Sequence, residues 1–262
     1  KKCTSCRNVF LQQDQCPECK SIKYETSSVL CQDCIIGAKN EIKKLISILT
    51  SDLGIKKENI RVYFSGNEGF HVYVLESSYE KLDSRQRAEL ADYILFKGAL
   101  PETFGAKKSD FSRSIFSDID DKGWSGRVSK QVFGSKSNKA KLSKQMISEG
   151  YFSFKKKLED LQKTIGAQID PNVTIDVHRI FRLAGTINSK SGLSKILCND
   201  IEKFSPGSDA CFMDDDKVTV LADCPVEFKL KNKKFGPYKK EQVTIPKYAA
   251  VYMICKGYAT LA

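Results

Sequence analysis

The chain has 262 residues, of which 41% are hydrophobic and 29% are charged, and these proportions exclude a wholly disordered or fibrous protein. Its 43 lysine and arginine residues exceed its 32 aspartate and glutamate residues, which gives a formal net charge of +11. This surplus favours a polyanionic partner such as nucleic acid, nucleotides or an anionic membrane surface, and a basic surface that only confers solubility is the alternative. The longest apolar run, 248–255, is far shorter than the roughly 20 residues of a membrane-spanning helix, so no membrane partner is expected.

Residues 1–34 carry little apolar surface but contain three Cys-x-x-Cys pairs. Such a segment cannot bury a core of its own, so we expect a metal ion to hold it together. Zinc prefers four thiolates in a tetrahedron, and each Cys-x-x-Cys turn supplies two of them. Six thiolates exceed four, so one pair is spare and the sequence does not identify it. The candidate ligands are Cys3, Cys6, Cys16, Cys19, Cys31 and Cys34.

Cys31 and Cys34 directly precede a predicted helix and are the preferred ligands. The zinc is expected to be structural, because no histidine or carboxylate motif near these pairs suggests an open coordination position. Free thiolates in this pattern indicate a reducing intracellular compartment. The four other cysteines lack partner spacing and are interpreted as buried apolar residues; they are Cys198, Cys211, Cys224 and Cys255. The chain starts with Lys-Lys-Cys and without methionine, which suggests that an upstream segment is missing.

From Ile35 to Leu49, apolar residues recur at steps of three and four, which predicts a helix of about four turns. Two β-prone runs follow at 59–64 and 70–75, on either side of the sequence Ser-Gly-Asn-Glu-Gly. Glycines at both ends of this connection predict a tight hairpin. Its hydroxyl and closely spaced backbone amides suit a phosphate group, but an ordinary hairpin has the same composition.

Residues 76–165 have apolar residues at helical spacing and few β-branched runs, so they are predicted to be helical, with an exposed loop or helix start at 134–144. Four later stretches have β-compatible composition: 172–176, 180–183, 217–221 and 242–245. We therefore expect the second half to add strands to the first hairpin. Together these elements predict an α+β protein.

Carboxylates and basic groups alternate between residues 170 and 190, in a set that comprises Asp170, Asp176, Arg179, Arg182, Ser189 and Lys190. This mixture suits a metal-bridged triphosphate, and a strand edge with solvated salt bridges is the alternative. Further on, lysines at 229, 231, 233, 234, 239 and 240 alternate with Phe228, Phe235 and Tyr238. That run is interpreted either as a contact with a nucleic-acid strand through phosphates and base stacking, or as a solvated basic loop.

Taken together, three segments resemble the small catalytic subunit of archaeal and eukaryotic DNA primases, and the archaeal form most closely. They are the cysteine pair that leads into a helix (31–35), the Ser-Gly-x-x-Gly-x-His hairpin (65–71) and the segment from 170 to 193. The stretches 235–237 and 248–252 are also similar to the end of the archaeal proteins.

This resemblance implies a primase-type catalytic core of mixed sheets flanked by helices. The implied division is a zinc knuckle at 1–34, the core at 35–99 and 166–262, and a small helical subdomain at 100–165. The implied activity is primer synthesis by nucleotidyl transfer from nucleoside triphosphates on a single-stranded DNA template, with Mg²⁺ or Mn²⁺ as catalytic ions and Zn²⁺ as a structural ion. The implied partners are the primase large subunit, in a heterodimer or larger assembly, the template, and ribo- or deoxyribonucleoside triphosphates. The implied location is cytoplasmic and nucleoid-associated.

By the same resemblance, Asp170 matches the third metal-binding carboxylate of the family and is the expected catalytic residue. The expected nucleotide-binding residues are Ser65, Gly66, His71, Arg182, Asn188 and Lys190. The family's other two carboxylates form an Asp-x-Asp pair upstream of the knuckle, which this sequence does not include; Asp118–Asp121 is assigned no metal in their place.

Glu68 stands where the family commonly has arginine, and Asn188 stands where histidine is usual. These departures keep an alternative open, namely a non-catalytic zinc-containing module that binds nucleic acid on a primase scaffold. A primer-polymerase of DNA repair or of a mobile element is a third interpretation, with the same chemistry and a different partner.

Overall fold

The computed structural model describes residues 1–8, 10, 13–26 and 29–262. The helices are α1 (Gln32–Ser51), α2 (Ser77–Glu80), α3 (Ser84–Ile94), α4 (Gly123–Phe133), α5 (Lys136–Glu149), α6 (Tyr151–Gln162), α7 (Pro171–Ile175), α8 (Pro206–Asp209) and α9 (Lys247–Cys255). The strands are β1 (Lys2–Cys3), β2 (Tyr24–Glu25), β3 (Ile60–Phe64), β4 (Phe70–Val74), β5 (Ile196–Leu197), β6 (Lys217–Cys224), β7 (Phe228–Leu230), β8 (Lys233–Phe235), β9 (Tyr238–Pro246) and β10 (Ala259–Leu261).

The chain divides into two compact units. The first comprises 1–39, 61–72 and 181–262, and the second comprises 40–60 and 73–180. The sequence-based division instead grouped 35–99 with the C-terminal part of the chain. Residues 84–96 belong to the second unit because they pack there: the Phe96 ring lies 4.5 Å from that of Trp124, between centroids, and the Trp124 indole nitrogen donates to the Tyr93 carbonyl at 2.8 Å.

The first unit is built around two small antiparallel sheets. In one, β5 pairs with β3 in the register Tyr63 with Leu197 and Phe64 with Ile196, and β4 lies on the other edge of β3. The fully buried ring of Phe64 lies against the rings of Phe70 and Phe204, with centroids 5.6 and 5.8 Å away. The hairpin predicted at 59–75 is therefore confirmed.

The second sheet of the first unit has the strand order β10-β6-β9, and α9 packs on it. Alternation along β6 buries Val220, Ala222 and Cys224 on one face, and α9 covers that sheet with side chains such as Tyr252 and Met253. The strands predicted at 217–221 and 242–245 are confirmed, but they form this separate sheet. Only β5, a two-residue strand, extends the first hairpin, because strand composition does not specify a strand's partner.

The second unit is mainly helical, as predicted for 76–165. Its helices α4, α5 and α6 pack on one another around buried aromatic rings, among them Phe116, Phe133 and Phe154. Helix α5 begins at Lys136, inside the stretch predicted to be a loop or a helix start. None of the helices in the described part of the chain is both long enough and apolar enough to cross a bilayer.

Two predicted strands are wrong. Residues 171–175 form the short helix α7, because the Asp170 carboxylate caps it by accepting from the Asn172 N–H at 3.0 Å and Pro171 occupies its first position. These start signals outweigh the β-branched residues that follow. Residues 180–183 form no strand, and the side chains of Ile180 and Leu183 are exposed.

Candidate functional site

The hairpin loop between β3 and β4 is closed by its own hydrogen bonds. The Ser65 N–H donates to the Gly69 carbonyl at 2.8 Å, and the Ser65 hydroxyl oxygen accepts from the backbone N–H groups of Asn67 at 3.3 Å and Gly69 at 3.4 Å. Two backbone amides thus converge on the serine hydroxyl. This arrangement places donors together, as a phosphate oxygen requires.

Gly66 allows the hairpin to pack closely against the loop formed by residues 188–195. It has a φ of +89°, and a Cβ atom there would lie 3.0 Å from both the Asn188 Cβ and the Leu193 carbonyl oxygen. The Ser191 hydroxyl donates to the Gly66 carbonyl. Only glycine accommodates both this backbone conformation and this close approach.

The 188–195 loop is held in shape by Asn188. Its side-chain oxygen accepts from the Lys190 N–H at 2.9 Å, and its carbonyl accepts from the N–H groups of Ser191 and Gly192. Asn188 is 9% exposed, whereas Lys190 is exposed and its ammonium group has no hydrogen-bonded partner among the described residues. Asn188 therefore shapes the loop that presents Lys190.

Arg182 and Lys195 connect the two ends of the same segment. The Lys195 ammonium group donates to the Arg182 carbonyl at 2.8 Å and lies 5.3 Å from the centre of the Tyr63 ring. The Arg182 guanidinium donates to the Ile187 carbonyl at 2.9 Å. Lys195 is only 2% exposed, so its positive charge is enclosed beside the hairpin. Sequence reasoning missed Lys195, because no local motif marks it.

Glu68 at the hairpin tip has a cation nearby that the sequence did not indicate. Lys256, which follows α9, donates to the Asn67 side-chain oxygen at 3.1 Å. Burial lowers the pKa of Lys256, and the Glu68 carboxylate opposes this shift. The acidic residue at the tip is thus partly offset by a lysine that lies far away in sequence.

The two histidines differ in setting. His71, on β4, is partly buried, and its ring meets the Phe181 ring edge to face with centroids 5.7 Å apart. His178 is exposed, and its backbone N–H donates to the Asp176 carboxylate at 3.0 Å. In the first unit the structure therefore places Gly66, next to Ser65, against Asn188, and His71 lies on the strand that leaves the same hairpin.

Asp170 belongs to the second unit. Its carboxylate caps α7 with Oδ1, and Oδ2 lies 3.6 Å from the Arg179 guanidinium. The side chain is 50% exposed, so its oxygens can be reached by a ligand. An accessible carboxylate is a suitable ligand for a hard divalent cation. Asp118 and Asp120, to which no metal is assigned, form ion pairs with Lys139 and Lys136, respectively.

Four of the six N-terminal cysteines come together as a candidate metal centre. The sulfur atoms of Cys3, Cys6, Cys16 and Cys19 all lie within 4.8 Å of one another. The Cys3–Cys19 and Cys6–Cys16 sulfur pairs are 3.4 Å apart, close to the separation of about 3.8 Å between thiolates around a tetrahedral zinc ion. The N–H of Cys6 lowers the pKa of the Cys3 thiol to about 6, which favours the thiolate that binds a metal.

The two halves of this centre have the same backbone turn. The Arg7 N–H donates to the Cys3 carbonyl at 3.0 Å, and the Lys20 N–H donates to the Cys16 carbonyl at 2.9 Å. Arg7 and Lys20 both have positive φ, of 61° and 59°. Pairing of β1 with β2 sets Cys3 opposite Tyr24, whose ring packs against Phe10. The two equivalent turns therefore each place two thiols in the candidate metal centre.

Cys31 and Cys34 lie outside this group, in contrast to their preference as ligands from sequence. Cys34 is part of α1 and Cys31 directly precedes it. The helical repeat of apolar residues starts at Ile35, and the helix that it stabilises extends back to include Cys34 in its first turn. The two thiols are exposed and hydrogen-bond to each other. Among the other cysteines, Cys198 and Cys224 are buried as predicted, and Cys211 and Cys255 are partly buried.

Two of the three aromatic rings in the lysine-rich run near residue 230 are not available for stacking. Phe228 and Phe235 are 5% and 6% exposed, and their rings stack on each other with centroids 5.6 Å apart. Lys234 pairs with Glu227 at 2.9 Å. The base-stacking prediction is wrong for Phe228 and Phe235, because β7 and β8 form a hairpin that turns both rings into the core. Tyr238, the third aromatic residue of the run, is only partly buried.

Comparison with known proteins gives one consistent result. The family model of the DNA primase small subunit matches residues 14–196. The chain is similar to the DNA primase small subunit PriS of Nitrosopumilus maritimus, with 54% identity over 260 residues, which cover 99% of this chain and 70% of that protein. It is 47% identical to the PriS protein of Cenarchaeum symbiosum over 262 residues, all of this chain and 70% of the relative. The PriS protein of Archaeoglobus fulgidus is 30% identical over 227 residues, 85% of this chain and 65% of the relative.

Proposed function

Because this chain belongs to the DNA primase small subunit family, we propose that it joins nucleotides into a primer on single-stranded DNA. The chain is an archaeal-type catalytic small subunit, a nucleotidyltransferase with an α+β fold. The non-catalytic module is not favoured, since the similarity to relatives named as primase subunits covers nearly the whole chain.

We assign nucleotide binding to the Ser65–Gly69 loop together with the 182–195 segment. The observation that carries this assignment is the close packing of Gly66 against Asn188 and Leu193. This contact places the backbone amides of the loop next to the segment that contains Arg182 and Lys190. Backbone amides orient phosphate oxygens, and arginine and lysine neutralise their charge. His71, at the start of the strand after the loop, completes the expected set.

The catalytic metal is assigned to Asp170. Its half-exposed carboxylate suits Mg²⁺ or Mn²⁺, and such an ion, when bound, neutralises charge on the transferred phosphoryl group. The Arg179 guanidinium lies 3.6 Å from the same carboxylate and helps to orient it. The four-thiol centre is assigned to structural zinc, because it contains only thiolates and offers no open position.

We further propose that this subunit works with a primase large subunit at the nucleoid, and that it accepts ribo- or deoxyribonucleoside triphosphates. The net charge of +11 is consistent with a polyanionic template. A primer is useful only when another protein of the replication complex extends it, so this function implies a protein partner.

The direct test is primer synthesis by the full-length natural protein on single-stranded DNA. With Mn²⁺ or Mg²⁺ and labelled nucleoside triphosphates, we expect short labelled products that depend on the template. A protein that binds the DNA but incorporates no nucleotide in any combination of metal and triphosphate would contradict the assignment and support the non-catalytic alternative.

Gly66→Ala is expected to raise the KM for the nucleoside triphosphate by about 10- to 100-fold, because a methyl group 3.0 Å from Asn188 and Leu193 displaces the loop that orients the phosphates. The matched control is Gly69→Ala in the same loop, since nothing lies within 4 Å of a Cβ at that position. Steady-state kinetics on both variants, with thermal unfolding as a folding check, measure the difference. Equal KM values for Gly66→Ala and Gly69→Ala would show that the contact of Gly66 with Asn188 and Leu193 does not orient the nucleotide.

A further inference from the structure

The second unit contains a cleft that the proposed reaction does not use. It has a volume of about 560 Å³ and lies between α1, α4 and the turn that follows α6. Its lining includes four cationic side chains and two acidic ones, together with the hydroxyls of Ser47 and Ser51. The cationic residues are Lys44, Lys122, Arg127 and Lys130, and the acidic residues are Asp52 and Asp121.

The acidic side chains in this cleft are already engaged. Asp52 is 2% exposed and forms a bidentate ion pair with Arg127, with nitrogen–oxygen distances of 3.0 Å. The same guanidinium donates to the carbonyl and hydroxyl oxygens of Ser47 at 3.1 Å. Asp121 accepts from the Asp118 N–H at 2.7 Å. The Asp52–Arg127 pair is thus a neutralised part of the lining. Asp121 keeps its negative charge, but the cationic side chains of the lining still outnumber the acidic ones.

The lysines of the cleft differ in whether their ammonium groups have hydrogen-bond or ion-pair partners. Lys44 is bound to Glu41 at 2.8 Å and to the Thr164 carbonyl at 2.7 Å. The ammonium groups of Lys122 and Lys130 are exposed and have no hydrogen-bond or ion-pair partner in the described ranges of the chain. Two unneutralised cations at a concave surface attract phosphate groups.

The spacing of these two lysines allows them to contact successive phosphates of a strand. Lys122 is the residue before α4 and Lys130 lies eight positions later on that helix, which separates their backbones by about 12 Å along the axis. Each ammonium group can therefore contact a different phosphate of a ligand that carries several. A ligand with successive phosphates along an extended backbone can contact both.

From these observations we infer that the cleft lined by Lys122 and Lys130 binds the phosphate backbone of single-stranded nucleic acid. The same phosphate chemistry is offered by a free nucleoside triphosphate, which is the other source to be distinguished. The inference concerns binding alone, so its test does not require primer synthesis and can fail or succeed independently of the proposed function.

The test compares the full-length protein with the double variant Lys122→Gln/Lys130→Gln. Binding of a fluorescein-labelled oligothymidylate is measured by anisotropy over a range of salt concentrations. The loss of two phosphate contacts is expected to reduce the slope of log affinity against log salt by about 1.4 and to weaken binding at low salt by about tenfold. The variant is expected to fold normally, because both lysines are exposed and unpaired.

The matched control is Lys156→Gln/Lys157→Gln on α6. These residues lie in the same unit, are exposed, and form no side-chain hydrogen bond or ion pair within the described residues, so the control removes the same charge away from the cleft. We expect the control to retain the parental slope to within about 0.3, since distant exposed charges are largely screened. Equal losses in both variants would overturn the inference and indicate a diffuse basic surface.

A second arm measures binding of a labelled non-hydrolysable ATP analogue to the same variants. The inference predicts unchanged affinity for the analogue in Lys122→Gln/Lys130→Gln. Loss of analogue binding with an unchanged oligothymidylate slope would overturn the assignment to a strand and identify the cleft as a nucleotide site. If the double variant keeps both the parental oligothymidylate slope and the parental affinity for the analogue, the cleft binds neither ligand and the inference is wrong.

Discussion

Asp170→Asn is expected to lower primer synthesis by at least about 10³-fold, because an amide cannot supply the negative charge that holds a catalytic divalent cation. The substitution is conservative for the fold. An asparagine oxygen can still accept from the Asn172 N–H, as the Asp170 carboxylate does at 3.0 Å, so the cap of α7 is preserved. The measurement is single-turnover nucleotide incorporation by the full-length protein at saturating Mn²⁺.

Asp176→Asn provides the matched control for this prediction. Asp176 ends the same short helix and also accepts a backbone N–H with its carboxylate, from His178 at 3.0 Å. It undergoes the same chemical change six residues away, and we expect its variant to retain activity to within about threefold. Comparable losses in the two variants would mean that the segment tolerates no change of charge, and the assignment of the metal to Asp170 would fail.

The elements predicted best from sequence are those fixed by local patterns. Apolar residues repeat from Ile35 with the period of a helix, and α1 forms there because one face can be buried along its whole length. The Ser65–Gly69 connection is equally local, since its glycines permit the turn and its serine closes it. In both cases the residues that determine the element lie within it.

Errors arose where a signal outside the run decided the structure. The residues Val173, Thr174 and Ile175 favour a strand by composition, yet Asp170 and Pro171 initiate a helix just ahead of them. The run at 180–183 has strand-like composition but is paired with no strand in the described parts of the chain. Composition predicts what a run can form, whereas neighbouring residues and pairing partners decide what it does form.

Residues brought to the hairpin from far along the chain could not be predicted. Lys256 reaches Asn67 across 189 positions, and Lys195 lies beside Tyr63 only because β5 pairs with β3. Neither belongs to a motif that a single sequence reveals. The resemblance of the 65–71 and 170–193 segments to primases identified the family, but the cations around the hairpin required the fold.

The residue that follows each cysteine pair distinguishes the four grouped cysteines from Cys31 and Cys34. Cys3 and Cys16 each start a Cys-x-x-Cys pair that is followed at once by a basic residue, Arg7 or Lys20, which has positive φ in the structure. Cys31 and Cys34 are followed by Ile35, the first apolar position of α1. A knuckle needs a turn after its second cysteine, and a continuing helix does not provide one.

Cys16→Ser is therefore expected to remove the bound zinc and to unfold the N-terminal segment, whereas Cys31→Ser is expected to retain zinc. Cys16 is fully buried, and the only core that the described residues of this segment form consists of Cys3, Phe10 and Cys16 with Tyr24 packed against them. So small a core cannot offset the cost of ordering the chain, and zinc binding, worth about 10–16 kcal/mol in small zinc domains, supplies the difference.

Zinc content per chain, measured by elemental analysis after gel filtration, decides between the two sets of ligands. We expect about one zinc ion in the parent protein and in Cys31→Ser, and almost none in Cys16→Ser. Limited proteolysis then reports the structural consequence, because an unfolded segment ahead of α1 is cleaved rapidly while the remaining chain stays protected. If Cys31→Ser loses its zinc and Cys16→Ser keeps it, the helical pair is the ligand and the four-thiol group at Cys3, Cys6, Cys16 and Cys19 is not the zinc centre.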